Sequence, residues 1–288
     1  MKKSEVKRYG IKIIYLLLTL LFLCVIGFNV FTFLKRINAH SDTVSDIQEI
    51  NDTILKSEQS EKIKDDDKNK EFSPPNTDYW NYIKVPITDF NLKDFKKLNN
   101  DTVGFLSIYG TQINYPVVKT NDNSFYLNHS FKKGENGAGW VFMDYRNDPE
   151  NLNKNTILYA HSNLDKTMFG SLSSILNPEW FKNEDNGILS FANSTGITHW
   201  KIFSVYTIPA ESKYIQTAFS NDEEYRIWAK EMAERSRYNL GYRFSENEKI
   251  ITLSTCYDDI RNLRLVVHAK YLGTYKWFSH IFYVVVIY

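Results

Sequence analysis

One cysteine stands outside the apolar N-terminal segment of this 288-residue chain: Cys256, at the end of the run Ile250-Ile251-Thr252-Leu253-Ser254-Thr255. Such a β-branched run reads as a strand. Two-residue alternation puts Ile250, Thr252, Ser254 and Cys256 on one face and Ile251, Leu253 and Thr255 on the other. Eight residues on, Arg264 opens a second run, Leu265-Val266-Val267-His268-Ala269. If the two runs pair as a hairpin around 257–263, a thiol and a guanidinium face each other. Only a thiolate attacks a carbonyl, a free cysteine has a pKa of about 8.5, and a nearby cation lowers it. An acid and base is available in His161, 95 residues upstream (256 − 161), which closes another such run, Thr156-Ile157-Leu158-Tyr159-Ala160. A lone cysteine is more often a small buried hydrophobe. Its place at a strand end, with Arg264 and His161 to serve it, favours a nucleophile.

The elements that must position these residues follow from the rest of the pattern. Short apolar runs separated by Gly, Asn, Asp and Pro occur at 103–109, 112–118, 139–143, 156–160, 187–192, 199–207, 249–255 and 264–271. Eight such candidates predict a mainly β fold, a closed or nearly closed barrel. Residues 89–98 predict a helix near its entry. Ser220-Asn221-Asp222-Glu223 reads as a capping box, and Tyr225, Trp228 and Met232 follow at helical spacing, so a helix separates the late strands and these three side chains belong to the core. The segment 205–245 that carries this helix is expected to wall the site, with Tyr214 in a substrate-facing loop.

Those residues together resemble a family. Thr252-Leu-Ser-Thr-Cys256, Arg264-Leu-Val-Val-His268 and Leu158-Tyr-Ala-His161 before Met168-Phe-Gly-Ser-Leu172 are similar to a class B sortase. The likeness extends through Asp101-Thr-Val-Gly-Phe105, Gly110-Thr-Gln-Ile-Asn-Tyr-Pro116 and Gly139-Trp-Val-Phe-Met-Asp144, covering roughly 78–273. The resemblance implies an eight-stranded sortase-type barrel with peripheral helices, carried by a membrane-anchored cysteine transpeptidase of Gram-positive bacteria. It implies catalytic roles for His161, Cys256 and Arg264. Candidate substrate-binding residues are Ser254, Thr255 and Tyr214. The implied partners are secreted proteins with a C-terminal sorting signal, cleaved after a threonine, and a cell-wall precursor or pilin amine as acceptor.

The N-terminal part agrees with that setting. Residues 13–34 carry no charge, and about 20 apolar residues cross a bilayer. Lys2, Lys3, Lys7, Arg8 and Lys12 precede them, and Lys35-Arg36 follows. The apolar core exceeds that of a cleaved signal peptide, and Asn38-Ala39-His40 is a poor cleavage site. The positive-inside rule then keeps the N-terminus in the cytoplasm and the rest outside, a single-pass protein of the cell membrane in contact with lipid. The expected organisation is a basic tail at 1–12, a transmembrane helix at 13–34, an extracellular stalk at 35–75, a catalytic domain at 76–273 and an apolar extension at 274–288. The stalk, with Val44, Ile47, Ile50 and Ile54 weakly helical and 62–71 almost wholly charged, reads as a solvated spacer. The tail 281–288 fits an added strand, an interfacial contact or an altered terminus.

Composition excludes several classes. Removing +4 (residues 1–12) and +2 (Lys35, Arg36) from the formal +1 leaves 37–288 at −5, no electrostatic case for nucleic acid. No paired-cysteine motif, His-Glu-x-x-His or P-loop occurs, so no cofactor or metal is implied. With Cys24 inside the apolar segment, Cys256 lacks an intrachain disulfide partner. His268 and Arg261 stand as alternatives to His161 and Arg264, and Asp165 or Asp258 as orienting groups. An L,D-transpeptidase-like enzyme lacks its Ser-x-Gly-Cys pattern here. A catalytically silent, membrane-anchored binding domain is the reading from another class.

Overall fold

The fold is taken from a computed structural model, which describes residues 3–62, 91–244, 248–258, 262–276 and 283–285. All eight expected strands form: β1 (Thr102–Ile108), β2 (Asn114–Val118), β3 (Phe142–Met143), β4 (Asn155–Tyr159), β5 (Ile188–Asn193), β6 (Gly196–Pro209), β7 (Ile250–Asp258) and β8 (Leu263–Lys276). Their hydrogen-bonded order is β6-β5-β1-β2-β3-β4-β7-β8, and pairing of β8 with β6 closes the barrel. β6 and β8 outrun the sequence pattern because each is paired on both flanks, β6 by β5 and β8, β8 by β6 and β7. A ninth strand, β9 (Tyr283–Val285), adds antiparallel to Thr274–Lys276 of β8, so part of the apolar tail is an added strand.

The alternation read from the sequence separates two cores. Ile251 and Leu253 of β7 and Leu265, Val267 and Ala269 of β8 fill the barrel interior with Trp140, Phe191 and Trp200. Ile250 and Val266, of opposite parity, face outward under a helix between β6 and β7. Numbered α3 after α1 and α2 below, it spans Asp222–Glu234 and buries Tyr225, Trp228 and Met232 as expected. Its cap lies one residue beyond the expected box. Asn221 accepts from the Glu224 backbone N–H at 2.8 Å, and the Glu224 carboxylate reaches back to the N–H of Ser220. Asn is as good an N-cap as Ser, and the spacing of Tyr225, Trp228 and Met232, which the cap position does not alter, keeps them on one face.

A directional polar chain crosses from this outer core into the sheet. The Thr252 hydroxyl donates to Asn155 Oδ1 at 2.6 Å, so it accepts from His268 Nδ1 at 2.8 Å, which leaves His268 Nε2 to accept from Tyr206 at 2.8 Å. This is the pattern of a neutral imidazole. Burial, and then the nearby Arg235, push the His268 pKa down to about 3, and burial takes His199 down to about 4.

The helix α1 (Lys3–Lys62) is continuous through the apolar segment and beyond it. The expectation of a solvated spacer is corrected here. Ile50 is 1% exposed, Thr43 and Asp46 are buried, and Ile47 and Ile54 pack on the barrel core. Asn136 donates to the Ala39 carbonyl at 3.0 Å and to Thr43 Oγ1 at 3.1 Å, and Lys132 pairs with Glu49 and Asp46. The isoleucines that looked weakly helical form an apolar stripe that needs a partner, and the barrel supplies it. The charged run 63–71 and Ser73-Pro74-Pro75 lie outside the described residues. Helix α2 (Leu92–Leu98) is capped by Asn91 and buries Phe95 against Phe105, with ring centroids 5.7 Å apart.

Two stability predictions follow from this packing. Histidines kept neutral in the native state but protonated in the unfolded chain, near pH 6.5, stabilise the fold above that pH, and the contribution is lost as pH falls toward their native values. Unfolding free energies from urea titrations should drop below about pH 6.5 with a limiting slope of about 1.4 kcal/mol per pH unit for each such group, and His199→Gln should remove one group's share. Trp228, 3% exposed and donating to the Lys213 carbonyl at 2.8 Å, should cost about 3 to 5 kcal/mol as Trp228→Ala. The exposed neighbour Ile227 should change stability by less than about 0.5 kcal/mol as Ile227→Ala; equal losses in denaturant titrations would refute this division of the helix.

Candidate active site

Three neighbouring strands bring the chemistry-bearing positions to one edge of the barrel. β4 runs parallel to β7 with Tyr159 opposite Ser254, and the next N–H, of Ala160, reaches the Ser254 carbonyl at 3.5 Å. His161 follows at once. β8 runs antiparallel to β7 with Arg264 opposite Cys256, and the register shifts just beyond, before Asp258 pairs with Leu263. The hairpin inferred from sequence thus forms. The side chains of Cys256, Tyr257 and Asp258, and all of residues 259–261 with Arg261, lie outside the described residues. Arg264 is half-buried, and among the described residues its guanidinium hydrogen-bonds only the carbonyl of Leu263, at 3.4 Å.

His161 is held by backbone on three sides. Its Nε2 lies 2.9 Å from the Leu127 carbonyl. A carbonyl only accepts, so Nε2 carries the hydrogen and Nδ1 is the nitrogen left to exchange protons. The His161 carbonyl accepts from Phe169 N–H at 2.9 Å, and a bridge between Ser162 and Met168 closes the following loop. Beside the ring, Gly139 adopts φ +62°, and a Cβ there would lie 2.7 Å from the Tyr126 carbonyl and 2.9 Å from His161 Cδ2. The carbonyl of Leu127 is itself fixed by a tight turn that Asp122 caps, accepting from the N–H groups of Ser124 at 2.6 Å and Phe125 at 2.8 Å. Composition gives no signal for a backbone acceptor, and the sequence reading missed Leu127; Gly139 opened a recognised motif without an assigned role.

A second support lies two residues behind, at Tyr159. Buried Asp144 accepts from Arg146 Nε at 2.8 Å and Nη2 at 2.7 Å, from the Tyr159 hydroxyl at 2.9 Å and from Asn123 at 3.0 Å. Burial alone would raise its pKa, but the guanidinium, the Arg146 N–H and the tyrosine outweigh it and hold the carboxylate ionised. Arg146 also donates to the Ile215 carbonyl at 3.0 Å, tying the strand that ends at His161 to the segment 205–245.

The expected substrate-facing residues sit differently. Tyr214 is 4% exposed, belongs to the outer core, and its hydroxyl lies 3.1 Å from Ser254 Oγ. The turn Lys213–Ile215 folds its ring inward over the sheet, so it does not present Tyr214 to solvent as the sequence suggested. Ser254 and Thr255 are buried as well. His268 is committed to the chain with Thr252 and Tyr206. Asp165 turns away from His161, bonding His40 Nδ1 at 2.6 Å and Thr167 Oγ1 at 2.6 Å. Among the described residues no group of three His, Cys, Asp or Glu side chains could hold a metal.

A family model described as a sortase domain matches residues 106–272. The chain belongs to the sortase family. Sortase B of Listeria monocytogenes is 36% identical over 183 residues, 62% of this chain and 73% of that protein. A solved Bacillus anthracis protein described as similar to sortase B is 39% identical, with a TM-score of 0.58 over 63% of this chain and 82% of that one. Staphylococcus aureus sortase B, 37% identical with a TM-score of 0.58, has been solved as a substrate complex, in which the match covers 63% of this chain and 84% of that chain. A sortase B solved with triglycine is likewise 37% identical with a TM-score of 0.58, over 62% of this chain and 84% of that one. This is a class B sortase, hence a cysteine transpeptidase, a class whose members anchor surface proteins to cell walls.

The contact at Gly139 makes a specific prediction for the sortase. Gly139→Ala must both strain the left-handed backbone, at about 1–2 kcal/mol, and push the imidazole off its carbonyl. Because a 1 Å misplacement of a catalytic group costs on the order of 10²-fold, kcat should fall by roughly that factor with little change in KM. Steady-state kinetics on the folded variant, with undiminished kcat, would show that the ring is positioned by other means.

Proposed function

We propose that the sortase cleaves the sorting signal of secreted proteins after a threonine and joins the new carboxyl end to an amine of a cell-wall precursor or pilin. The observation that carries this reading is the strand register: Cys256 opposite Arg264, with His161 two residues past the end of β4 on the other flank of β7. In the first half-reaction the Cys256 thiolate adds to the threonine carbonyl carbon, and the oxygen takes the charge. Collapse breaks the C–N bond, and His161 gives a proton from Nδ1 to the departing amine. In the second half the acceptor amine adds to the thioester, returns a proton to Nδ1, and the C–S bond breaks. Arg264 stays protonated throughout, so its part is to hold the carbonyl and stabilise the oxyanion. The triglycine in the sortase B complex offers a primary amine, which supports acceptors of that chemistry.

Ser254 and Tyr214 belong in this proposal as the floor of the peptide site, on the face that alternation gives to Cys256, and Thr255, of opposite parity, backs them from the interior side of the strand. Their burial supports a role in shaping it from beneath. Residues 76–273 form the catalytic domain, 1–12 a cytoplasmic tail and 13–34 a single membrane span, with the barrel outside the cell. The one described helix apolar and long enough to cross a membrane supports that arrangement.

Incubating the full chain with short sorting-signal peptides and a glycine peptide acceptor, and following thioester and product by mass spectrometry, tests the mechanism. Cys256→Ala should give neither thioester nor product. His161→Ala should lose about 10² to 10⁴-fold in turnover, and Arg264→Lys, which replaces a planar fork by a point charge, should lose rate while remaining folded. Because thiolate and imidazolium must coexist, rate should follow a bell in pH. A thioester mapped to another residue would overturn the assignment.

A further inference from the structure

Leu164 is 97% exposed on a built turn. Lys166 N–H closes the turn on the Asn163 carbonyl at 3.1 Å, Asn163 is anchored to Thr167 Oγ1 at 3.0 Å, and Asp165 accepts from Thr167 N–H at 2.9 Å. A solitary exposed leucine is ordinary on a protein surface. Its position relative to α1 is what separates this one. The barrel contacts step along the helix in order: Lys35 meets Glu135 at 3.5 Å, His40 meets Asp165 at 2.6 Å, Asn136 meets Ala39 and Thr43, and Lys132 meets Asp46 and Glu49. The turn bearing Leu164 is thus at the end of the barrel nearest the apolar segment. His40 stands four residues past Arg36, about 6 Å along a helix axis. A headgroup layer is about 5–7 Å deep on each side of the hydrocarbon.

We infer that the turn 163–166 rests on the outer leaflet, with Leu164 entering the headgroup region beside Ile37 of α1 and Lys166 meeting lipid phosphate. Ile37 is exposed like the apolar residues before it, so it continues the same lipid-facing surface. The inference rests on the reading of 13–34 as a membrane span. It gives the loop that follows His161 a fixed height above the bilayer, and with it the mouth through which a membrane-tethered sorting signal would enter.

The full chain, reconstituted in vesicles of phosphatidylcholine and phosphatidylglycerol, tests this by photocrosslinking from p-benzoylphenylalanine placed singly at Phe33, Leu164 or Ile227. Lipid adducts from positions 33 and 164, and none from the exposed α3 position 227, are expected. An adduct at 33 with none at 164 would overturn the inference and leave the membrane span standing; none at 33 would remove the span and the inference together. Leu164→Asp should lower kcat/KM several-fold toward a lipid-tethered sorting peptide in the same vesicles and leave the free peptide unchanged. Equal kcat/KM for the tethered peptide in both proteins would also overturn it.

Discussion

Everything at the active edge depends on the register of β7 between β4 and β8. A strand has a side-chain period of two, so a slip of one residue would exchange the faces of all its side chains and separate Cys256 from both neighbours at once. Apolar packing alone resists such a slip, because Ile251 and Leu253 fit the barrel interior and Ile250 the outer core. The chain Tyr206, His268, Thr252, Asn155 adds a directional lock, since Thr252 donates to Asn155 and the neutral His268 then offers one donating and one accepting nitrogen. It joins β6, β8, β7 and β4 four residues below the thiol position, where a slip would strand buried polar groups at a cost of about 1–3 kcal/mol each. Register is thereby fixed by satisfaction as well as by burial.

The same economy governs His161. An imidazole at a strand end has two free χ angles and two tautomers, and productive proton transfer needs one of each. The Leu127 carbonyl selects the tautomer, the Gly139 surface sets the plane of the ring, and the Asp144–Arg146–Tyr159 network keeps the strand beneath from moving. A side-chain orienter such as Asp165 is unnecessary, which frees that carboxylate to bind α1. Arg146 also couples the histidine strand to the segment over the outer core through Ile215, so disturbance of that segment reaches the site through one guanidinium.

Strand periodicity made the barrel legible, along with the two faces of β7, the Cys256–Arg264 hairpin and the buried face of α3, because each is a local consequence of alternation or helical spacing. What escaped depended on long-range contact or on backbone. Leu127 acts through its carbonyl, which every residue has. Tyr214 looked like a loop residue because the turn that folds it onto Ser254 is three residues long and has no period. The stripe of Ile47, Ile50 and Ile54 is visible in the sequence, yet its partner surface comes from later elements, α2 and β2 among them, while Lys132 and Asn136 bind the polar flank of the helix.

That docking changes what α1 can do mechanically. A solvated stalk would let the barrel sample a range of heights and orientations, set by chain statistics. A helix that is apolar at 14–34 and packed against the barrel at 39–54 leaves only residues 35–38 between the apolar segment and the docked one, about one turn. Helices bend sharply at prolines, glycine or serine pairs and bulges, and Lys35-Arg36-Ile37-Asn38 contains none of these. The joint is therefore stiff in bending, and its axis sets the orientation of the barrel relative to whatever holds the apolar segment. The ion pairs at this end, Lys35 with Glu135 and His40 with Asp165, are exposed and contribute little to stability individually. Their effect is on geometry: they hold the loop after His161 against the helix at the point where the helix leaves the barrel.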